Sequence, residues 1–152
     1  MSEFRPYRRI AALVRFDAFD APVVGKALLL ARQNDAELVL LHLIEPDGLL
    51  DGGPTTGEAH AYERAAERRL ERLAAALGAD GAACHAFYGP GRRRLRQYAE
   101  SWCPDLIVTG EPDARLADGC DVLILAPRSA RRGRRLWGGV RNWFGTHIAI
   151  GI

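Results

Sequence analysis

Five short apolar blocks recur along the first 127 residues, and each has the length of a strand. They lie within residues 8–16, 36–46, 83–88, 105–110 and 120–127. The first contains the continuous apolar run from Ile10 to Val14. Such a run, without apolar–polar alternation, is typical of a parallel strand that helices cover on both faces. We therefore expect five largely buried strands.

Amphipathic segments separate the first four blocks and predict three helices. We expect Asp20 to cap the first helix, which then carries apolar residues at helical spacing. In the second helix, Thr55 and Glu58 have capping-box spacing, and Gly78 ends the apolar stripe. The third helix follows the turn at residues 89–91. Only the nine residues EPDARLADG separate the last two strands, so at most one helical turn fits there.

The alternation of strands and helices predicts an α/β fold. We expect an open five-stranded parallel sheet with helices on both faces and a shortened or missing fourth helix. Ligands of such sheets bind beyond the carboxyl ends of the strands, where the strand order reverses. Candidate site residues are therefore sought within residues 15–20, 43–47, 87–91 and 110–113.

Length and composition fit one ordinary globular domain. The chain has 152 residues, of which 48% are hydrophobic and 26% charged. We place this domain at residues 1–127 and assign residues 128–152 to a C-terminal extension. No apolar run approaches the roughly 20 residues that cross a bilayer, and no secretory signal is evident, so we expect a cytoplasmic protein. The spacing of the three cysteines suggests neither a disulfide framework nor a zinc site.

The C-terminal extension differs in charge from the rest of the chain. Residues 128–152 contain six arginines and no acid, so taking six from the net charge of +2 leaves −4 on residues 1–127. Trp137 and Trp143 lie among these arginines, and the alternation in residues 146–152 predicts a terminal strand. We expect the extension to pack on its own domain or on a dimer mate. A protein partner, a membrane surface and single-stranded nucleic acid are alternatives, in decreasing order.

In sequence, the chain resembles the universal stress proteins. The resemblance covers roughly residues 8–127 and is carried by RRIAALVRFDAFD, ALLLARQNDAELVLLHLIEP, the turn YGPG and PDLIVTG, in this order and spacing. It implies a Rossmann-like five-stranded sheet and, in one branch of the family, ATP at the strand ends. It also implies a homodimer along the last strand, at Val122, Leu123, Ile124 and Leu125.

The residues that match the family's nucleotide site are only partly retained. The family's aspartate after the first strand falls on Arg15, or on Asp17 if a gap is allowed. The resemblance further assigns two groups to the nucleotide site. They are the backbone near Leu43 and the first loop glycine, Gly110. The rest of the glycine loop is absent, and Glu111 follows Gly110 where a triphosphate would lie. We expect no cofactor, with ATP or AMP as the less favoured alternative.

No catalytic set and no metal-ligand spacing can be assembled from these residues. Arg92 and Arg93, at the start of the third helix, are anion candidates, although a solvated helix face is the favoured interpretation. His42 within the second strand is expected to be a hydrogen-bonded core histidine. We predict a non-enzymatic regulatory module that acts through dimerisation and protein partners in stress response. The alternatives are an adenine-nucleotide sensor with a rearranged phosphate site and a peripheral membrane or scaffold protein that uses the extension.

Overall fold

The fold is a sheet whose central strands are parallel. The computed structural model describes residues 5–46, 53–111 and 120–126, together with the backbone of one strand at 146–149. The elements are β1 (Arg9–Val14), α1 (Asp20–Asn34), β2 (Glu37–Ile44), α2 (Thr56–Ala76), β3 (Ala83–Tyr88), α3 (Gly91–Trp102), β4 (Leu106–Thr109), β5 (Asp121–Leu125) and β6 (Thr146–Ala149). The strand order is β3-β2-β1-β4-β5-β6. The first five strands are parallel, and β6 is antiparallel to β5.

Helices cover both faces of the sheet, as the sequence predicted. Side chains of α1 and α2 pack with Ile10, Ala12 and Val14 on one face of β1. The opposite face of the same strand, with Ala11 and Leu13, packs against α3. Because β1 is central and its apolar residues are buried on both faces, its sequence is a continuous apolar run.

The helix starts test two predictions about capping. At α2 the predicted capping box is confirmed: the Thr55 hydroxyl accepts the Glu58 N–H, and the Glu58 carboxylate accepts the Thr55 N–H. At α1 the predicted cap is wrong, because Asp20 is the first helical residue and Phe19 occupies the N-cap position without a side-chain hydrogen bond. The Asp20 carboxylate instead accepts backbone N–H groups from the turn before the helix.

The outer edge of β3 is covered by acidic side chains of α2. The backbone N–H of Ala86 donates to Glu67 over 3.3 Å, and that of Tyr88 donates to Glu63 over 2.9 Å. Glu63 and Glu67 are one helical turn apart, so both reach the same strand edge. A sheet edge whose N–H groups are already paired, and which carries charge, resists pairing with another chain.

The edge of β5 is occupied by β6 of the same chain. The predicted terminal strand is therefore present at Thr146–Ala149, and Leu123 pairs with Ile148 in the antiparallel register. The expected homodimer along Val122–Leu125 would use this same edge, so a partner strand would have to displace or exchange β6. The homodimer itself stays a prediction. Trp137, Trp143 and the expected missing helix fall on residues outside the described ones.

Candidate functional site

Arg15 lies between two carboxylates where β1 and β4 end. Its Nε atom is 3.6 Å from Asp17 Oδ2 and 3.4 Å from Glu111 Oε1. The three side chains keep roughly half of their surface in solvent, with exposed fractions of 52%, 45% and 43%. The structure thus joins two predicted site residues, Arg15 and Asp17, and adds Glu111. Because both carboxylates engage the guanidinium, Arg15 is not a free cation for an anionic ligand.

Asp20 fixes the turn that carries Arg15 and Asp17. Its side chain is buried, with 5% of its surface exposed, and it accepts the Arg15 and Asp17 backbone N–H groups, each over 2.9 Å. Asp17 in turn accepts the Phe19 N–H over 2.8 Å. These N–H groups point at carboxylates of the turn itself and are not available as donors to a ligand. Sequence reasoning assigned Asp20 only to the helix; its spacing of three from Asp17 was the available signal.

Two aromatic rings, tilted against each other, pack beside this turn. Phe16 adopts a left-handed backbone with φ of 62°, uncommon for a bulky residue, and its ring lies 4.2 Å from the His42 ring. The Arg69 guanidinium carbon lies 4.1 Å from the centroid of the same ring. His42 Nδ1–H donates to the Val14 carbonyl over 2.9 Å, which confirms a hydrogen-bonded histidine. Burial lowers the pKa of His42, which favours the neutral form of the ring.

Gly110 is covered by Phe19. A Cβ built on Gly110 would lie only 2.8 Å from Phe19 Cδ1 and 3.3 Å from Phe19 Cε1. The next amide, that of Glu111, donates to the hydroxyl of buried Thr109 over 3.0 Å. The expected glycine is therefore present at the end of β4, but the phenyl ring lies over one side of it and the following N–H is already paired within the chain.

The start of α3 lies against the carboxylate of Glu45, the residue that follows β2. A Cβ built on Gly91 would lie 2.6 Å from Glu45 Oε1 and 3.4 Å from Leu43 Cδ1. Glu45 thus already supplies negative charge beside this helix N-terminus. Arg92 and Arg93 are exposed, and no hydrogen bond or ion pair within the described part of the chain joins them to Arg15 or Asp17. The structure therefore does not bring the two groups of candidate residues together.

The sequence of the chain matches the model of a known protein family. A sequence model of the universal stress protein family matches residues 6–140, which is most of the chain. The chain belongs to the universal stress protein family. This finding confirms the resemblance, and the parallel sheet with helices on both faces agrees with it.

Solved structures of universal stress proteins share this fold at low sequence identity. One, in complex with cAMP, is 20% identical, with a TM-score of 0.50, over 74% of this chain and 82% of its own. Another, from Burkholderia pseudomallei, is also 20% identical, with a TM-score of 0.51, over 68% of this chain and 81% of its own. No curated protein sequence matches significantly. At such identities the likeness shows the fold and not the ligand.

Proposed function

We propose that this universal stress protein is a regulatory binding module that neither binds ATP tightly nor hydrolyses it. The observation that carries the proposal is the pairing of Arg15 with Asp17 and Glu111 at the strand ends. A triphosphate would meet one cation and two carboxylates there, a local charge of −1. Each carboxylate–phosphate pair at about 4 Å costs roughly 1 kcal/mol in water and more in a drier site.

The backbone N–H groups that a phosphate would need as donors already form hydrogen bonds within the chain. The N–H groups of Arg15 and Asp17 donate to Asp20, and that of Glu111 donates to Thr109. Phosphates in nucleotide sites are commonly held by several backbone N–H groups at a loop or helix start. Binding ATP here would require breaking this turn, in addition to accepting the charge repulsion.

The experiment is calorimetric titration of dialysed protein with ATP, ADP, AMP and cAMP. We expect no triphosphate binding tighter than about 1 mM, which corresponds to roughly −4 kcal/mol. Glu111→Gln should release Arg15 from one partner and strengthen ATP binding by about fivefold, since one repulsive pair is removed. Glu100→Gln, at an exposed position of α3, is the matched control and should leave ATP binding unchanged. Micromolar ATP binding by the unaltered protein would refute the proposal.

A second candidate is a sensor of nucleotides with one phosphate. The related structure in complex with cAMP favours testing it, because a single phosphodiester carries one charge and needs fewer donors than a triphosphate. In that case cAMP should bind tightly, AMP, whose phosphomonoester carries nearly two charges, less tightly, and ATP least tightly. The phosphate would then have to displace Asp17 or Glu111 from Arg15, and Arg15→Gln should abolish the binding.

Regulation through partners is the remaining part of the proposal. A homodimer and a protein partner of residues 128–152 both stay predictions. Sedimentation equilibrium over a range of protein concentrations tests for the homodimer. For the peripheral membrane alternative, none of the helices among the described residues combines the length and apolar character that spanning a bilayer requires. Sedimentation with anionic vesicles, comparing the full chain with a Trp137→Ser and Trp143→Ser variant, tests surface binding.

A further inference from the structure

A cavity lies at the other end of the sheet from Arg15, between the sheet and α3. Its volume is about 460 Å³, within the range of small-molecule sites. Because it lies at the amino-terminal ends of β2 and β3, it is separate from the strand ends described above. Its lining includes Glu37, Val39, Ala83 and His85 from the sheet and Tyr98 and Trp102 from α3. We refer to it as the α3 cavity.

Aromatic rings form one side of the α3 cavity. The Tyr98 ring lies 5.8 Å from the Trp102 ring and 5.9 Å from the His85 ring, centroid to centroid. Phe87 backs the cluster, 5.4 Å from Tyr98. Tyr98 and Trp102 are only partly buried, so part of their surface is left to solvent. Faces of Trp and Tyr rings carry negative electrostatic potential and attract cations.

Glu37 adds a carboxylate to this aromatic wall. Both ion pairs among the described residues belong to Arg15, so Glu37 has no ion-pair partner in that part of the chain. Burial and then the neighbouring Glu37 charge raise the pKa of Tyr98 to about 12, consistent with a carboxylate close to the ring. Arg9 lies beside Glu37 on the adjacent strand, but its Nη1 donates to the Trp102 carbonyl over 2.9 Å.

We propose that the α3 cavity binds a small organic cation, an amine or a quaternary ammonium group with a short apolar body. The carboxylate of Glu37 and the rings of Tyr98 and Trp102 favour positive charge, and Val39 and Ala83 are the apolar lining for the rest of the ligand. An anion would be repelled by Glu37, and a neutral ring would gain nothing from it. Since Arg9 partly offsets the carboxylate and the cavity is open, we expect dissociation constants of about 0.1–10 mM.

The test uses two probes of nearly equal shape. Choline carries a quaternary ammonium group, and 3,3-dimethylbutan-1-ol replaces the charged nitrogen with carbon. Chemical-shift titration of the ¹⁵N-labelled full chain should show saturable choline binding, with the largest shifts in β2, β3 and the last turn of α3. The neutral probe should bind at least about tenfold more weakly, since it lacks both the ion pair and the cation–π contact.

Variants separate the contribution of charge from that of the rings. Glu37→Gln keeps the shape of the side chain and should weaken choline binding by about fivefold, as expected for one lost charge pair near the surface. Trp102→Leu should also weaken it by about threefold to tenfold. Glu45→Gln, which follows the carboxyl end of β2 at the opposite end of the sheet, is the matched control and should leave the affinity unchanged. Urea unfolding of each variant checks that the fold is retained.

Three results would overturn the proposal. They are the absence of saturable choline binding up to about 50 mM, equal binding of the charged and neutral probes, and a Glu37→Gln variant that binds choline as well as the unaltered protein. Because the α3 cavity and the Arg15 pairs lie at opposite ends of the sheet, none of these results bears on the nucleotide titrations.

Discussion

Gly110→Ala tests whether the Phe19 ring closes the space beside Gly110 at the carboxyl end of β4. The added methyl group would lie 2.8 Å from Phe19 Cδ1, and Val23 Cγ2 at 3.8 Å is in ordinary contact. The backbone of Gly110 does not require glycine, because its φ is not among the positive values of the described residues. The phenyl ring is therefore the principal obstacle to the substitution.

Two opposing effects determine how much Gly110→Ala changes the free energy of unfolding. Overpacking a filled site costs about 1–3 kcal/mol, because the ring or the backbone must shift. Replacing glycine by alanine also stabilises by about 0.4–1 kcal/mol through the lower entropy of the unfolded chain. We therefore expect Gly110→Ala to lower the free energy of unfolding by about 0.5–2 kcal/mol. In a Phe19→Ala background, only the entropic gain should remain.

The assay is urea unfolding of a double-mutant cycle. The four proteins are the unaltered chain, Gly110→Ala, Phe19→Ala and the combination, and the coupling energy should be about 1–3 kcal/mol. Gly25→Ala is the matched control, because a Cβ there meets nothing within 4 Å and the residue is exposed on α1. That control should stabilise the protein by about 0.5–1 kcal/mol, since alanine is the better helix former.

A coupling energy near zero would refute the reasoning. In that case Gly110→Ala would have the same effect with and without the phenyl ring, and Phe19 would not be what limits the space at the end of β4. A stabilising Gly110→Ala, matching Gly25→Ala, would lead to the same conclusion. The proposal that Phe19 covers this glycine would then have to be abandoned.

Three further predictions follow from contacts elsewhere in the fold. Replacing Glu63 and Glu67 together by alanine should cost about 1–3 kcal/mol in urea unfolding, since two hydrogen bonds are lost, and should promote association measured by size-exclusion chromatography with light scattering. Thr55→Ala should cost about 1 kcal/mol because the capping box is lost. Exposed Cys103 should react with a thiol reagent in the folded protein, whereas buried Cys120 should react only on unfolding. Burial raises the pKa of Cys120 to about 12, which keeps the thiol protonated. Peptide mass spectrometry measures the labelling of each cysteine.

Each of these has a clear contrary result. An alanine pair at Glu63 and Glu67 that stays monodisperse and fully stable would mean that the carboxylates do not protect the β3 edge. A Thr55→Ala protein of unchanged stability would mean that the cap adds nothing to α2. Labelling of Cys120 at the same rate as Cys103 in native buffer would contradict the burial of that thiol.

Local patterns in the sequence predicted the elements well. β1 and β4 were found because they are continuous apolar runs buried on both faces, and the capping box because its partners, Thr55 and Glu58, are three residues apart. Even β6 was predicted from alternation alone. The wrong cap at Asp20 shows the boundary of this reasoning: the residue type suits a helix start, but its carboxylate is used by the turn before it.

The candidate site could be predicted only in part. Arg15, Asp17 and Gly110 were identified from the family resemblance and from their places after strands. What the sequence did not show was that Glu111 pairs with Arg15 across neighbouring strands, or that Phe19 lies over Gly110. These partners are about ninety residues apart in the chain, and only the pairing of β1 with β4 brings them together.

By itself, the sequence determined where strands and helices form, because that choice depends on periodicity and on groups a few residues apart. Tertiary structure alone decided which side chains meet: the carboxylates around Arg15, the rings around the α3 cavity, and the strand that β6 pairs with. The physical reason is that backbone periodicity is a local property, whereas a contact depends on strand order and on which face of the sheet each residue occupies.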